Sequence, residues 1–156
     1  MSDLLNKVKN DNTSGSHDLT TLALRALKDY LQNSTEKSKS KLAENLNQVV
    51  KDLVKPKKNI ILLQKKASTV LYYIKRLTKT QKSINEIINN TCLKIDELIQ
   101  ESNQKQKKIG ELGSRLIFDG NKILTVFYNF GGIGNWTVSP RIESGIYPKG
   151  SGHSYI

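Results

Sequence analysis

A chain of 156 residues holds about one domain, and 25 Lys and Arg against 14 Asp and Glu give it a formal charge of +11. With 37% apolar and 6% aromatic residues it is lean for a large enzyme core and sufficient for a small helical bundle. Its runs fall short of the roughly 18 apolar residues of a membrane span, its start (MSDLLNKVKN) lacks the apolar stretch of a secretory signal, and a single Cys92 with two histidines, His17 and His153, excludes an internal disulfide, a CxxC pair and a three-histidine or cysteine-rich metal site. The expectation is a basic, soluble, intracellular and mainly α protein, with no cofactor or metal.

A short helix is expected around Leu4, Leu5 and Val8. Leu19, Leu22, Ala23, Ala26, Leu27, Tyr30 and Leu31 then follow the i, i+3, i+4, i+7 spacing of one helix face. Ser16 is the expected N-cap of that helix, with Asp18 in its first turn. Asn33 and Ser34 are expected to end it and open the next. The next stripe is Leu42, Leu46, Val49, Val50 and Leu53, stopping near Val54 because Lys55 precedes Pro56. Pro56 suits the first turn of a third helix. That helix carries Ile60, Ile61, Leu63, Ala67, Val70, Leu71, Ile74 and Leu77, and Leu62, Tyr72 and Tyr73 widen its apolar face. Such a helix is expected at the centre of a bundle. A fourth stripe runs from Ile84 through Ile88, Cys92 and Ile95 to Ile99, and a fifth comprises Ile109, Leu112, Gly113, Leu116 and Ile117. Glu101 to Lys108 holds no apolar residue, so these two stripes belong to one bent helix or to two.

The pattern changes at Asp119-Gly120, where Gly120 is a natural C-cap. Lys122 to Tyr128 (KILTVFY) reads as a buried strand. Six of the ten glycines fall between Gly131 and Gly152, so loops and turns are expected there. A lone apolar strand presents unpaired N–H and C=O groups. Either the tail folds back onto it, or another subunit pairs with it, or the chain is a truncated and partly stable product.

Three segments carry a resemblance. IGELGSRLIFDGNKILT (Ile109 to Thr125) is similar to the junction in the alpha/beta/delta subunit family of translation initiation factor 2B. NTSGSHDLTTLALRAL (Asn12 to Leu27) resembles that family's opening Gly-Ser segment and first amphipathic helix. DLVKPKKNIILLQKKASTVLYYI (Asp52 to Ile74) resembles its Arg-Pro segment, with Lys55 where Arg is usual. The resemblance implies a helical bundle at 1–119 and, at 120–156, a strand plus Gly/Pro/Ser-rich tail that is the remnant of a Rossmann-like domain. It also implies cytoplasmic work in translation initiation and the regulation of guanine nucleotide exchange. The partners it implies are initiation factor 2 or 2B-like subunits, in a homo- or hetero-oligomer and away from membranes.

The sequence departs from the family where chemistry would sit. Val126 and Phe127 stand where the family commonly has His and then Ser or Cys, while Tyr128 matches. The related sugar-phosphate isomerases are thought to use a cysteine near the position of Phe127 and an aspartate deeper in the Rossmann-like domain. A benzyl side chain neither forms a thiolate nor exchanges a proton. The expectation is therefore a noncatalytic chain that works by binding, and no catalytic residue is assigned.

The sharpest charge feature lies between Leu53 and Asn85, which holds nine cationic residues and no acid. A solvated helix face is the plain reading. Against it, Lys57 and Lys58 sit at the positive end of the third helix, where each costs about 0.3–1 kcal/mol unless compensated. An acidic partner surface would compensate them, and Lys55, Lys57, Lys58, Lys65 and Lys66 are the candidate partner-binding residues. RNA is the competing partner, although aromatics are poorly interleaved with these charges. Ser14, Gly15 and Ser16 form a candidate anion-binding helix start. Ser14 stands where the isomerases have an arginine, so the bidentate clamp is missing. Cys92 falls on an apolar stripe and reads as a buried small hydrophobe. A degenerate ribose-phosphate or methylthioribose-phosphate isomerase and a small RNA-binding module are the alternative readings.

Overall fold

The structure is a computed structural model that describes residues 3–116, 123–126 and 136–139. Its elements in chain order are helices α1 (Asp3–Asn10), α2 (Ser16–Gln32) and α3 (Lys39–Val54), a 3-10 turn (Lys55–Lys57), α4 (Ile61–Leu77), α5 (Ile84–Ser114), and strands β1 (Ile123–Val126) and β2 (Trp136–Ser139). The chain forms two compact units, residues 1–106 and 107–156.

The first unit is a helical bundle with one apolar core. α2 contributes Leu19, Ala23, Leu24, Ala26, Leu27 and Leu31, all at most 2% exposed. α2 packs against α1 and α4, and α3 against α4. Alanines on the buried faces of α2 and α4 (Ala23, Ala26 and Ala67) leave room for the two backbones to approach. Leu42, Leu46, Val50 and Leu53 of α3 close another side, and Ile87, Cys92, Ile95, Leu98 and Ile99 of α5 complete the same cluster. Each large buried side chain contributes about 1.5–3 kcal/mol by leaving water. Cys92 packs as the small hydrophobe its place on the stripe implies. Two ion pairs tie α5 to its neighbours: Lys28 Nζ to Asp96 Oδ2 at 2.7 Å and Lys66 Nζ to Glu101 Oε2 at 2.9 Å.

Helix ends differ from expectation at three places. Ser16 is the first residue of α2 and Gly15 is its N-cap, with no side-chain bond to the helix. The cap moves back one residue because the preceding loop is drawn together by Asp11 instead. Ser34 does not open α3. Its N–H donates to Leu31 O, and Ser38 caps α3 by accepting from the N–H of Lys41. Pro56 stands in the 3-10 turn and not in α4, and the turn closes when Ile60 N–H donates to Lys57 O at 3.0 Å. The expected stop of α3 at Val54 holds.

α4 is apolar over one face only. Leu63, Ala67, Val70, Ile74 and Leu77 are buried, whereas Ile61 and Tyr72 are 64% and 71% exposed. The breadth of apolar residues read from sequence overestimates burial, because Ile61 and Tyr72 lie opposite the i, i+4, i+7 row that meets α2 and α3. Ile109, Leu112 and Gly113 of the fifth stripe continue the helix of the fourth, α5, while Leu116 follows in a turn and Ile117 lies outside the described residues. A capping box starts it: Ser83 N–H and Oγ donate to Glu86 Oε2 at 2.7 and 2.8 Å, and Glu86 N–H donates to Ser83 Oγ at 3.3 Å. The Ser83 backbone bond, then its hydroxyl, holds the Glu86 carboxyl below the usual range.

In the second unit, Ile109, Leu112 and Leu116 are exposed, so the fifth stripe does not extend the core as its spacing implies. β1 pairs antiparallel with β2, with Ile123 opposite Ser139 and Val126 opposite Trp136. Within the chain, the segment that meets the apolar strand is Trp136–Ser139 of the tail. Nine residues separate the strands, too few for the crossover of a dozen or more that a parallel pair requires. Gly120 and Phe127 lie outside the described residues, as do the glycines between Gly131 and Gly152.

Candidate interaction surface

Five lysines were candidates for one partner surface, and the structure gives them different roles. Lys57 is only 9% exposed. Its ammonium donates to Asp11 O and, at 2.8 Å, to Asn12 Oδ1. It thereby ties the 3-10 turn after α3 to the loop between α1 and α2. Lys66 is paired with Glu101 across α4 and α5, and its side chain is 14% exposed. Glu101 also receives Lys105 at 2.5 Å, and these two ammonium groups, Lys105 first, lower its carboxyl to about 2. Lys57 and Lys66 therefore serve the fold and are not offered to a partner.

Lys55, Lys58 and Lys65 are exposed. Lys75, Arg76, Lys79 and Lys82 continue the charge along α4 and the turn that follows it. Arg76 lies over the ring of Tyr73, with Cζ 5.6 Å from its centroid, a cation–π arrangement that fixes the guanidinium. Two apolar groups stand on the same exposed side, Ile61 and Tyr72. The sequence pattern puts Ile61 on the stripe of this helix and Tyr72 among the residues that widen it. The helical angle was the signal available: at 100° per residue, positions 61, 65, 68, 72 and 76 fall within roughly a quarter of the circumference, opposite the buried row.

Part of the candidate anion loop is taken by the chain's own anion. Asp11 Oδ1 accepts from the N–H groups of Thr13 at 3.0 Å and Ser14 at 2.9 Å. The Ser14 side-chain hydrogen bond, then the Ser14 and Thr13 N–H bonds, draw the Asp11 carboxyl down to about 2. Ser14, Gly15 and Ser16 are brought together, but the Ser14 N–H expected to meet a phosphate is spent on Asp11. His17 meets Asp18 through Nδ1 at 3.3 Å, and its Nε2 is buried without a partner. Among the described residues, no group of three or more His, Cys, Asp or Glu is arranged to hold a metal ion. Among those residues, no helix is long and apolar enough to cross a membrane.

The geometry defines a helical bundle with an outward cationic face and a self-closed loop at its second helix. The initiation factor 2 subunit family matches residues 12–129, most of the chain, and the chain belongs to that family. The match spans all three segments whose resemblance was read from sequence. Comparisons with the curated proteins and with the solved structures returned no match.

Proposed function

We propose that this chain acts without catalysis, as a translation initiation factor 2B-like subunit or fragment that binds other subunits of the exchange factor, or initiation factor 2, in the cytoplasm. The observation that carries the reading is the family match over residues 12–129. The bundle supports it by presenting Lys55, Lys58 and Lys65 outward, with no acid between Leu53 and Asn85 to neutralise them. The alternative of a sugar-phosphate isomerase is disfavoured by the loop at residues 11–16, whose carboxylate takes N–H donors that a phosphate would need.

The test is a pull-down of the tagged chain from its own cell extract, with and without nuclease. The expected result is recovery of identified initiation factor subunits after nuclease treatment, and its loss with Lys55→Glu, Lys58→Glu and Lys65→Glu combined. RNA recovered in their place, or turnover of a ribose phosphate by the purified chain, refutes it.

A further inference from the structure

The outer side of α4 combines charge with exposed apolar surface in a way that a purely solvated face has no need of. Lys65 and Arg76 lie on it, and among the described residues no carboxylate is paired to either. Lys75 is exposed in the last turn of α4, and Lys79 and Lys82 stand in the turn that follows. Ile61 and Tyr72 lie among them, 64% and 71% exposed. Tyr72 lies eleven positions after Ile61, about 16 Å along the axis. We propose that this stripe is a docking site for an acidic helical segment of a partner protein, whose carboxylates meet Lys65 and Arg76 and whose two apolar side chains meet Ile61 and Tyr72. The proposal rests on the reading of the chain as a protein-binding subunit and adds the chemistry and position of one partner segment.

Charge complementarity selects an acidic occupant, and the apolar pair selects a protein over a nucleic acid. Single strands bind on successive aromatic platforms. Here Tyr72 alone is open, because Tyr73 is half-buried against the core and lies beneath Arg76. Ile61 offers a base nothing to stack on. The Tyr73–Arg76 contact also holds the guanidinium in place before a partner arrives, which lowers the ordering cost of binding.

The experiment measures fluorescence anisotropy of the full chain with a labelled helical peptide of Glu and Ala carrying two Leu placed eleven residues apart, to match Ile61 and Tyr72. The expected result is binding that weakens at least about tenfold when every Glu of the peptide is replaced by Gln, and by a similar factor in Lys65→Glu/Arg76→Glu. Tyr72→Ala weakens it about tenfold as well. Far-UV circular dichroism follows the helical content, and if the charge reversal lowers it, Lys65→Gln/Arg76→Gln replaces that variant. No binding of the Glu peptide, variants within about twofold of wild type, or tighter binding of an oligouridine of about twelve nucleotides overturns the proposal. Peptide failure together with recovery of initiation factor subunits removes this stripe and leaves the protein-binding reading standing. Peptide binding without any such recovery removes that reading instead.

Discussion

Lys57 offers the sharpest check on the difference between charge density and charge availability. Its ammonium is 9% exposed and donates to two acceptors on the loop between α1 and α2, Asp11 O and Asn12 Oδ1. Hydrogen bonds to a charged group are worth about 1.5–3 kcal/mol each where water cannot replace them. Here Asn12 is exposed, so its amide regains a water partner when the lysine is removed. Lys57→Met keeps the aliphatic stem and deletes the charge, and the expected loss is about 2 kcal/mol. For a bundle of this size that is a fall in Tm of about 8 °C. Lys58→Met, one residue on and exposed, should change stability by less than about 0.5 kcal/mol. Urea unfolding followed by circular dichroism measures both, and a double-mutant cycle with Asn12→Ala should return a coupling of about 0.5–1.5 kcal/mol. Equal stability of the Lys57 and Lys58 variants, or additivity in the cycle, would refute the assignment of Lys57 to the fold.

Three further outcomes are expected. Ser83→Ala opens the capping box at the start of α5 and should cost about 1 kcal/mol by urea unfolding. Ile95→Ala leaves a cavity at a side chain with no exposure and should cost about 3 kcal/mol, whereas Ile109→Ala, 71% exposed, should stay within about 0.5 kcal/mol by the same measurement. Asp11→Asn should be about 1 kcal/mol less stable than wild type at neutral pH, a figure already reduced for solvent screening. The Asp11 carboxyl titrates near 2 in the folded chain against an ordinary 3.8, so its contribution is present above about 4 and is lost as pH falls toward 2. Wild type and variant should converge over that interval in thermal unfolding.

The bundle was legible because its helices are amphipathic over many turns. Leu19 to Leu31, Leu42 to Leu53 and Leu63 to Leu77 repeat at helical spacing, and burial follows that spacing in the main, with Leu22, Tyr30, Val49 and Leu71 half-buried and Leu24 and Ala43 buried off the stripes. Ends were less legible because caps depend on what the loop does with its own donors. Asp11 gathers the loop before α2, and no pattern in residues 12–16 announces it. The candidate site was legible as a charge run but not as a surface. Lys57 and Lys66 differ from Lys58 and Lys65 only in where the fold aims them, and that is set by partners 46 and 35 positions away, Asp11 and Glu101. Breadth of hydrophobicity is not breadth of burial, since Ile61 follows the stripe and Tyr72 widens it, yet both are exposed. Ile61 and Tyr72 show that an apolar residue off the buried row carries different information from one on it.

α4 joins core and surface in a single element. Its buried row, from Leu63 to Leu77, meets the other helices, while its outer side carries Lys65 and Arg76. An acidic partner finds this stripe only when the row beneath is packed, since the stripe exists only on the folded helix. Binding is therefore coupled to folding: a ligand at about a hundred times its Kd stabilises a fold it selects by about 2.7 kcal/mol. Charge screening by salt weakens the attraction of Lys65 and Arg76 to that partner. A partner that docks here has to supply apolar contact as well as carboxylates, and Ile61 and Tyr72 are placed to receive it.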